Sequence, residues 1–207
     1  MPPPNLHRRR RLAEAATHVL ARGGSRGLTH RAVDAFADVP PGTTSRYFRS
    51  RDALFVAVTE YAISTHLDDV GMDPPGPGPL TRDDLVELLV QTARAAVGEH
   101  RFRHLAVAEL FLESNRRPAL GQAMVAAAQQ HIASVRTLFA AAGVALDELG
   151  ARRMVAFIDG MLFSALAGSQ AAAPDLVETL MRQHLAVVLD TEPALLNGHS
   201  ARPAPVR

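Results

Sequence analysis

The sequence predicts an all-α protein, and three observations predict it. Apolar residues recur at intervals of three and four almost throughout, no stretch alternates with period two, and Gly98, Pro118, Gly143 and Pro174 fall between the helical runs.

Residues 6–22 form the first expected helix, with Leu12, Ala15, Ala16, Val19 and Leu20 on one face and Gly23-Gly24 ending it. A second, two-turn helix begins at Thr29, whose hydroxyl can cap free amides, and buries Val33, Phe36 and Ala37 before Asp38 breaks the run. Pro40-Pro41-Gly42 resets the chain, Pro41 being tolerable in a first helical turn, and Thr43 to Phe48 completes a third short helix with small, hydroxylic or basic outward residues. A longer helix runs from Asp52 through Leu54, Phe55, Val58, Ala62 and His66 to about Val70. Residues 72–79 hold four prolines and two glycines, which no helix survives, so this stretch is a surface connection. Further helices are expected near 82–98, 102–115, 118–142, 147–170 and 175–190, with a frayed tail beyond Pro193.

Composition narrows the chemistry. With 207 residues, 47% of them hydrophobic, the chain can bury a core, and it contains no apolar run near the roughly 18 to 20 residues of a membrane span. The proline- and arginine-rich start lacks a signal core, so a cytoplasmic address is expected. The absence of cysteine removes disulfides, thiolate nucleophiles and cysteine-bound metals. The net charge of +1 hides a segregation: residues 1–51 carry ten arginines against Glu14, Asp34 and Asp38, a balance of +7, and the remainder sums to −6. A basic first quarter on an acidic remainder points to one part that meets a polyanion and another with a different task.

Two short helices joined by a tight turn, the second presenting Thr, Ser and Arg in the most basic part of the chain, read as a helix-turn-helix. The run from Ala37 to Leu54 resembles the signature of the tetracycline-repressor (TetR/AcrR) family, roughly A-G-V-S-x-G-T-L-Y-x-H-F-x-S-K-E-x-L. Val39, Gly42, Thr43, Phe48, Ser50 and Leu54 match, and Arg51-Asp52 stands for Lys-Glu. The resemblance by motif covers about residues 6–70. Asp38 replaces a glycine, but aspartate visits left-handed backbone more readily than most residues. Pro40 replaces a serine cap, Thr44-Ser45 replaces Leu-Tyr, and Tyr47 takes the His position.

Residue roles follow from chemistry. Thr29, Tyr47 and Arg51 suit phosphate contacts, where free amides and positive charge meet an anion. Gly42 allows close backbone approach, and Thr43, Thr44, Ser45 and Arg46 lie on the expected base-reading face, Arg46 for guanine and the Thr methyls for thymine. Arg8 and Arg9, in the Arg8–Arg11 cluster, suit a phosphate ridge or the minor groove, against the alternative of a merely solvated basic end. Phe36, Phe48 and Leu54 are expected in the core of this unit.

The resemblance implies a DNA-binding domain over residues 1–51 and a helical effector-binding and dimerisation domain over 52–207, helix 52–70 connecting them. It implies a homodimer, independently reasonable because one short helix reads few base pairs, so two copies about 34–36 Å apart on a palindromic operator supply specificity. The expected interface lies on the last two helices, at Phe157, Met161, Leu176, Leu180 and Val188. An equally apolar stripe can be monomer core. For a small-molecule effector, by default apolar or aromatic, Phe102, Phe111 and Met124 are candidate walls, and His66, His104, Glu109, Glu113, Gln129 and Asp159 are candidate polar groups, each weighed against an ordinary structural role.

No cofactor or metal is expected. His100 and His104 share a helix face beside Glu99 but lack a third ligand, and Gly23 to Gly27 reads as a turn between helices, not a phosphate cradle. Without a nucleophile elbow or dinucleotide fingerprint, an enzyme is not expected. The expected function is a ligand-released transcriptional repressor. The alternatives are an all-α small-molecule carrier or enzyme with a basic N-terminal segment, and an effector-independent architectural DNA binder.

Overall fold

The computed structural model describes residues 6–69, 80–167 and 173–190, and among them finds helices and no strand. In chain order these are α1 (Leu6–Gly27), α2 (His30–Phe36), α3 (Thr43–Tyr47), α4 (Arg51–Asp69), α5 (Arg82–Val97), α6 (Arg101–Ser114), α7 (Pro118–Ala141), α8 (Glu148–Ala167) and α9 (Ala173–Asp190). Each expected helix is present with ends shifted by a few residues. The expected surface connection at 72–79 and the tail beyond Pro193 lie outside the described residues.

Contacts group the chain into two units, one of residues 1–69 with 95–129, the other of 70–94 with 130–207. The first is thus wider than residues 1–51: it takes in α4, α6 and the start of α7. In this unit α1 packs against α2, α4 and α6, and α2 against α3. Leu12, Ala16 and Leu20 from α1, Val33 from α2, Phe48, Leu54, Phe55 and Val58 share one core with Ala106 and Leu110 of α6. Truncating a fully buried phenylalanine such as Phe48 or Phe55 costs about 3–5 kcal/mol, comparable with a domain's whole stability.

Gly24 interrupts α1 as expected, with φ 61° and ψ −171°, a region essentially reserved for glycine. A Cβ there would lie 3.4 Å from Glu109 Oε2 on α6. The helix resumes for three residues, which is why α1 reaches Gly27 and not residue 22.

One core expectation fails. Phe36, the last residue of α2, is 40% exposed. Its ring instead joins a surface ladder, stacked 5.1 Å from His18, which stacks in turn 3.7 Å from Phe102 of α6, while Arg22 lies over Phe36 at 5.2 Å. The short α2 turns only Val33, Asp34 and the following Ala37 fully inward.

In the second unit α8 packs on α9. Met154, Ile158, Met161 and Leu162 of α8 and Val177, Met181 and Leu185 of α9 are buried. Phe157 stacks on His184 with ring centroids 3.7 Å apart. Arg94 pairs with Glu178, and Arg182 with Glu87 at 2.9 Å, tying α5 to α9 through exposed ion pairs worth up to about 1 kcal/mol each.

Candidate nucleic-acid interface

Thr29 caps α2 as the sequence predicts: its backbone is extended and its Oγ1 accepts a 3.1 Å hydrogen bond from the Ala32 amide. The turn into α3 then uses two left-handed residues. Asp38 has φ 51°, the conformation expected of the residue standing for glycine, and Gly42 has φ 85° immediately before α3.

Gly42 offers no side chain to cap α3, and Pro40 brings no hydroxyl. The cap comes from α2. Asp34 accepts hydrogen bonds from the Gly42 amide (2.8 Å), the Thr44 amide (2.7 Å) and the Thr44 hydroxyl (2.5 Å). Burial pushes the Asp34 carboxyl up, but the bonds from Thr44 and Gly42, with the nearby His30, outweigh it and leave the group below the usual carboxylate range. At the other end of α3, His30 Nε2–H donates to the Phe48 carbonyl at 2.7 Å. Arg11 of α1 donates to the Ala37 carbonyl at 2.8 Å, fixing the start of the turn.

This arrangement corrects one expected reading residue. Thr44 is 0% exposed, its hydroxyl committed to Asp34, so its methyl cannot meet a base. The outer face of α3 consists of Ser45 and Arg46, with exposed Gly42 before it and exposed Arg49 after it. Thr43 is half-buried and donates its hydroxyl to the Pro40 carbonyl (2.6 Å); the Ser45 hydroxyl donates to Gly42 (2.9 Å). Tyr47 is half-buried against the unit's core.

Among the expected phosphate contacts, Arg51 folds onto its own chain, donating to the Ser25 carbonyl and lying 5.6 Å over the Phe55 ring. Arg9 pairs with Glu60 at 3.2 Å and lies 5.2 Å over Phe48. Arg8 is half-buried, and Arg31 on α2 is exposed. Sequence reasoning missed Asp34, His30 and Arg11. The uncapped Pro40-Pro41-Gly42 start was a signal for Asp34: an acid beside Val33 on the inward edge of α2 was available to supply the missing acceptor.

Several effector candidates hold the first unit together instead of gathering around a shared space. Phe102 stacks on His18, and Glu109 accepts from the Ser25 amide at 3.1 Å. Glu113 is buried and pairs with Arg117 (2.9 Å) and Arg116 (3.2 Å), and Arg117 also pairs with Asp52 of α4. The Arg117 guanidinium, against the burial penalty, holds the Glu113 carboxyl below its ordinary range. Met124 packs on the same core, with Thr59 Oγ1 3.9 Å from its sulfur. Phe111 and Gln129 are exposed, His104 is half-buried, and the His66 side chain lies outside the described residues. In the second unit, Asp159 has a solvent-reachable surface but enough protein around it that desolvation pushes its carboxyl up to about 6. It makes no hydrogen bond or ion pair among the described residues.

Burial divides the expected interface residues. Met161 is 5% exposed and belongs to the unit's own core, as do its stripe neighbours Met154 and Ile158. Phe157, Leu180 and Val188 are half-buried, and Leu176 is 45% exposed. The outward apolar surface of α8 and α9 is carried by Leu176 from the expected set together with Leu149, Phe163 (64% exposed) and Val187 (66% exposed). No group of three or more His, Cys, Asp or Glu side chains that could hold a metal occurs among the described residues.

Residues 80–190 match the family described as Tetracyclin repressor-like, C-terminal domain, which is more than half of the chain. The chain belongs to the tetracycline-repressor-like family. The HTH-type transcriptional repressor KstR of Rhodococcus jostii (strain RHA1) is 32% identical over 147 residues, 71% of this chain and 59% of KstR, so the match spans less than two thirds of that repressor. A transcriptional regulator from Rhodococcus sp. Rha1 shares the chain's fold with TM-score 0.73 at 20% identity, covering 89% of this chain and 99% of that one. The multidrug binding protein EbrR, solved with imidazole, is 29% identical with TM-score 0.55, covering 84% and 94%.

Proposed function

We propose that this family member is a homodimeric repressor that binds a palindromic operator through α2 and α3 and is released by a small-molecule effector. The observation that carries the reading is the outer face of α3, where Ser45 and Arg46 are exposed on a helix pinned at both ends to α2. Arg46 suits a guanine, and the basic residues of α1 and α2 suit the flanking phosphates. Thr43, Ser45, Tyr47, Gly42 and Thr29 keep their proposed places at the interface; Thr44 does not. The functional boundary after Arg51 is part of the same proposal.

Two copies would pair through the outward apolar residues of α8 and α9, giving the two-fold symmetry a palindrome mirrors. Asp159 is the polar group proposed to orient an effector, because a reachable carboxylate with no partner among the described residues suits a cationic nitrogen on an apolar body. Occupation would shift the protein toward a state whose reading helices are wrongly spaced, α4 carrying the change. Near-complete release requires the effector to prefer that state by about 5.5 kcal/mol.

Selection of bound fragments from random duplexes with the full chain tests this. Enrichment of a palindrome with half-sites one helical turn apart, or a multiple of it, is expected. Retention of no duplex would favour the carrier reading.

A further inference from the structure

We infer that Asp34, buried and out of reach of DNA, is the positioning residue that sets base discrimination by the reading helix. The inference rests on the proposed DNA-binding function. With five residues, α3 spans less than two turns and has too few internal hydrogen bonds to fix its own orientation. Its exposed start has neither a cap side chain at Gly42 nor a hydroxyl at Pro40.

Asp34 replaces both with a fork. One carboxylate oxygen takes the Gly42 amide, and the other takes the amide and hydroxyl of Thr44. Two amides set how far α3 sits from α2. The hydroxyl, on a side chain pointing away from the helix axis, sets its roll. The roll decides where Arg46, two residues further on and exposed, points its guanidinium. A bidentate contact to guanine tolerates little misalignment, so loss of the fork should blur sequence choice more than it weakens attraction to phosphate. His30 on the Phe48 carbonyl holds the far end, so losing the fork releases one anchor and leaves the helix attached.

The departures from the family signature fit together in this light. Pro40 removes the serine cap and Thr44 removes a leucine, and Asp34 answers both by capping the helix and satisfying the new hydroxyl.

The test uses full-length chain and a duplex it selects from a random pool, beside duplexes with one base pair of each half-site changed. The readout is the ratio of affinities for selected and altered duplexes, with helical content checked by circular dichroism. Asp34→Asn should lower the ratio by about tenfold, since an amide places a donor against a donor. Thr44→Val, which keeps the amide bonds and removes only the hydroxyl, should lower it by about three- to fivefold, and Thr44→Ser should leave it within about twofold. The double variant Asp34→Asn with Thr44→Val should lose no more than Asp34→Asn alone. If Asp34→Asn does not fold, the Thr44→Val and Thr44→Ser pair decides. Folded variants that weaken all duplexes equally, with the ratio unchanged, would show that Asp34 only stabilises the fold and overturn the inference. Failure of the wild-type chain to select any duplex would sink the DNA-binding function itself, a distinguishable result.

Discussion

Asp34 and Thr44 meet across the turn between the two short helices, one carboxylate oxygen accepting both the amide and the hydroxyl of the threonine, at 2.7 and 2.5 Å. The bonds hold the Asp34 pKa below its unfolded value of about 3.9. A depressed carboxylate contributes stability above its unfolded pKa and loses it as pH falls through the folded value. The stability difference between wild type and Asp34→Asn, from urea unfolding, should therefore be fully present at about pH 5 and shrink below about pH 4. A gap that widened in acid would contradict the assignment.

His18 titrates in the opposite chemical sense but with the same consequence. Burial between Phe36 and Phe102 lowers its pKa, Glu14 opposes this, and Arg22 and Arg103 reinforce it. Its contribution is complete above the unfolded value of about 6.5 and is lost as pH falls toward the folded one. His18→Phe keeps a ring in the ladder and cannot titrate. Thermal midpoints should show the wild type losing more stability than His18→Phe between pH 7 and 5.

Arg46 and Arg51 should separate by kind of effect. Arg46→Ala should cost about 1–3 kcal/mol at the selected operator and relax preference at one base pair per half-site. Arg51→Ala should weaken all duplexes alike and reduce the salt slope by about 1. Because Arg51 also holds the Ser25 carbonyl, its removal should lower the melting temperature slightly, which Arg46→Ala should not.

Gly24 is constrained by a backbone conformation L side chains avoid, at φ 61°; a Cβ there would make only ordinary contact with the Glu109 carboxylate. Gly24→Ala should destabilise by about 1–3 kcal/mol, read as an earlier urea midpoint. Gly23→Ala, with open space around its Cβ, should cost little.

The outward apolar residues of α8 and α9 predict where pairing fails. Phe163→Arg should convert the proposed dimer to monomers in sedimentation and abolish binding to the proposed palindrome. Met161→Ala, at a buried position, should instead lower stability by about 2–5 kcal/mol.

The helices were legible in the sequence because helical periodicity and glycine or proline punctuation agree almost everywhere. The Thr29 cap followed from local chemistry, and the left-handed Asp38 from its place where the family signature has glycine. Thr44 was misplaced because a threonine on a five-residue helix has no periodicity to say which way it faces; only the long-range partner Asp34 decides. Met161 and Phe163 show the same limit on α8, where an apolar stripe cannot be divided into inner and outer halves without its neighbours. Phe102, Glu109 and Glu113 looked like ligand groups because their partners, His18, Ser25 and Arg117, depend on how α6 packs on α1 and meets the turn into α7.

A salt titration of the selected palindrome against a scrambled duplex of equal length is the most direct trial of the central claim. The account predicts a linear fall of log affinity with log salt for both duplexes, with the palindrome bound at least about 10³-fold more tightly throughout. Equal affinity for the two duplexes, or binding insensitive to salt, would contradict it.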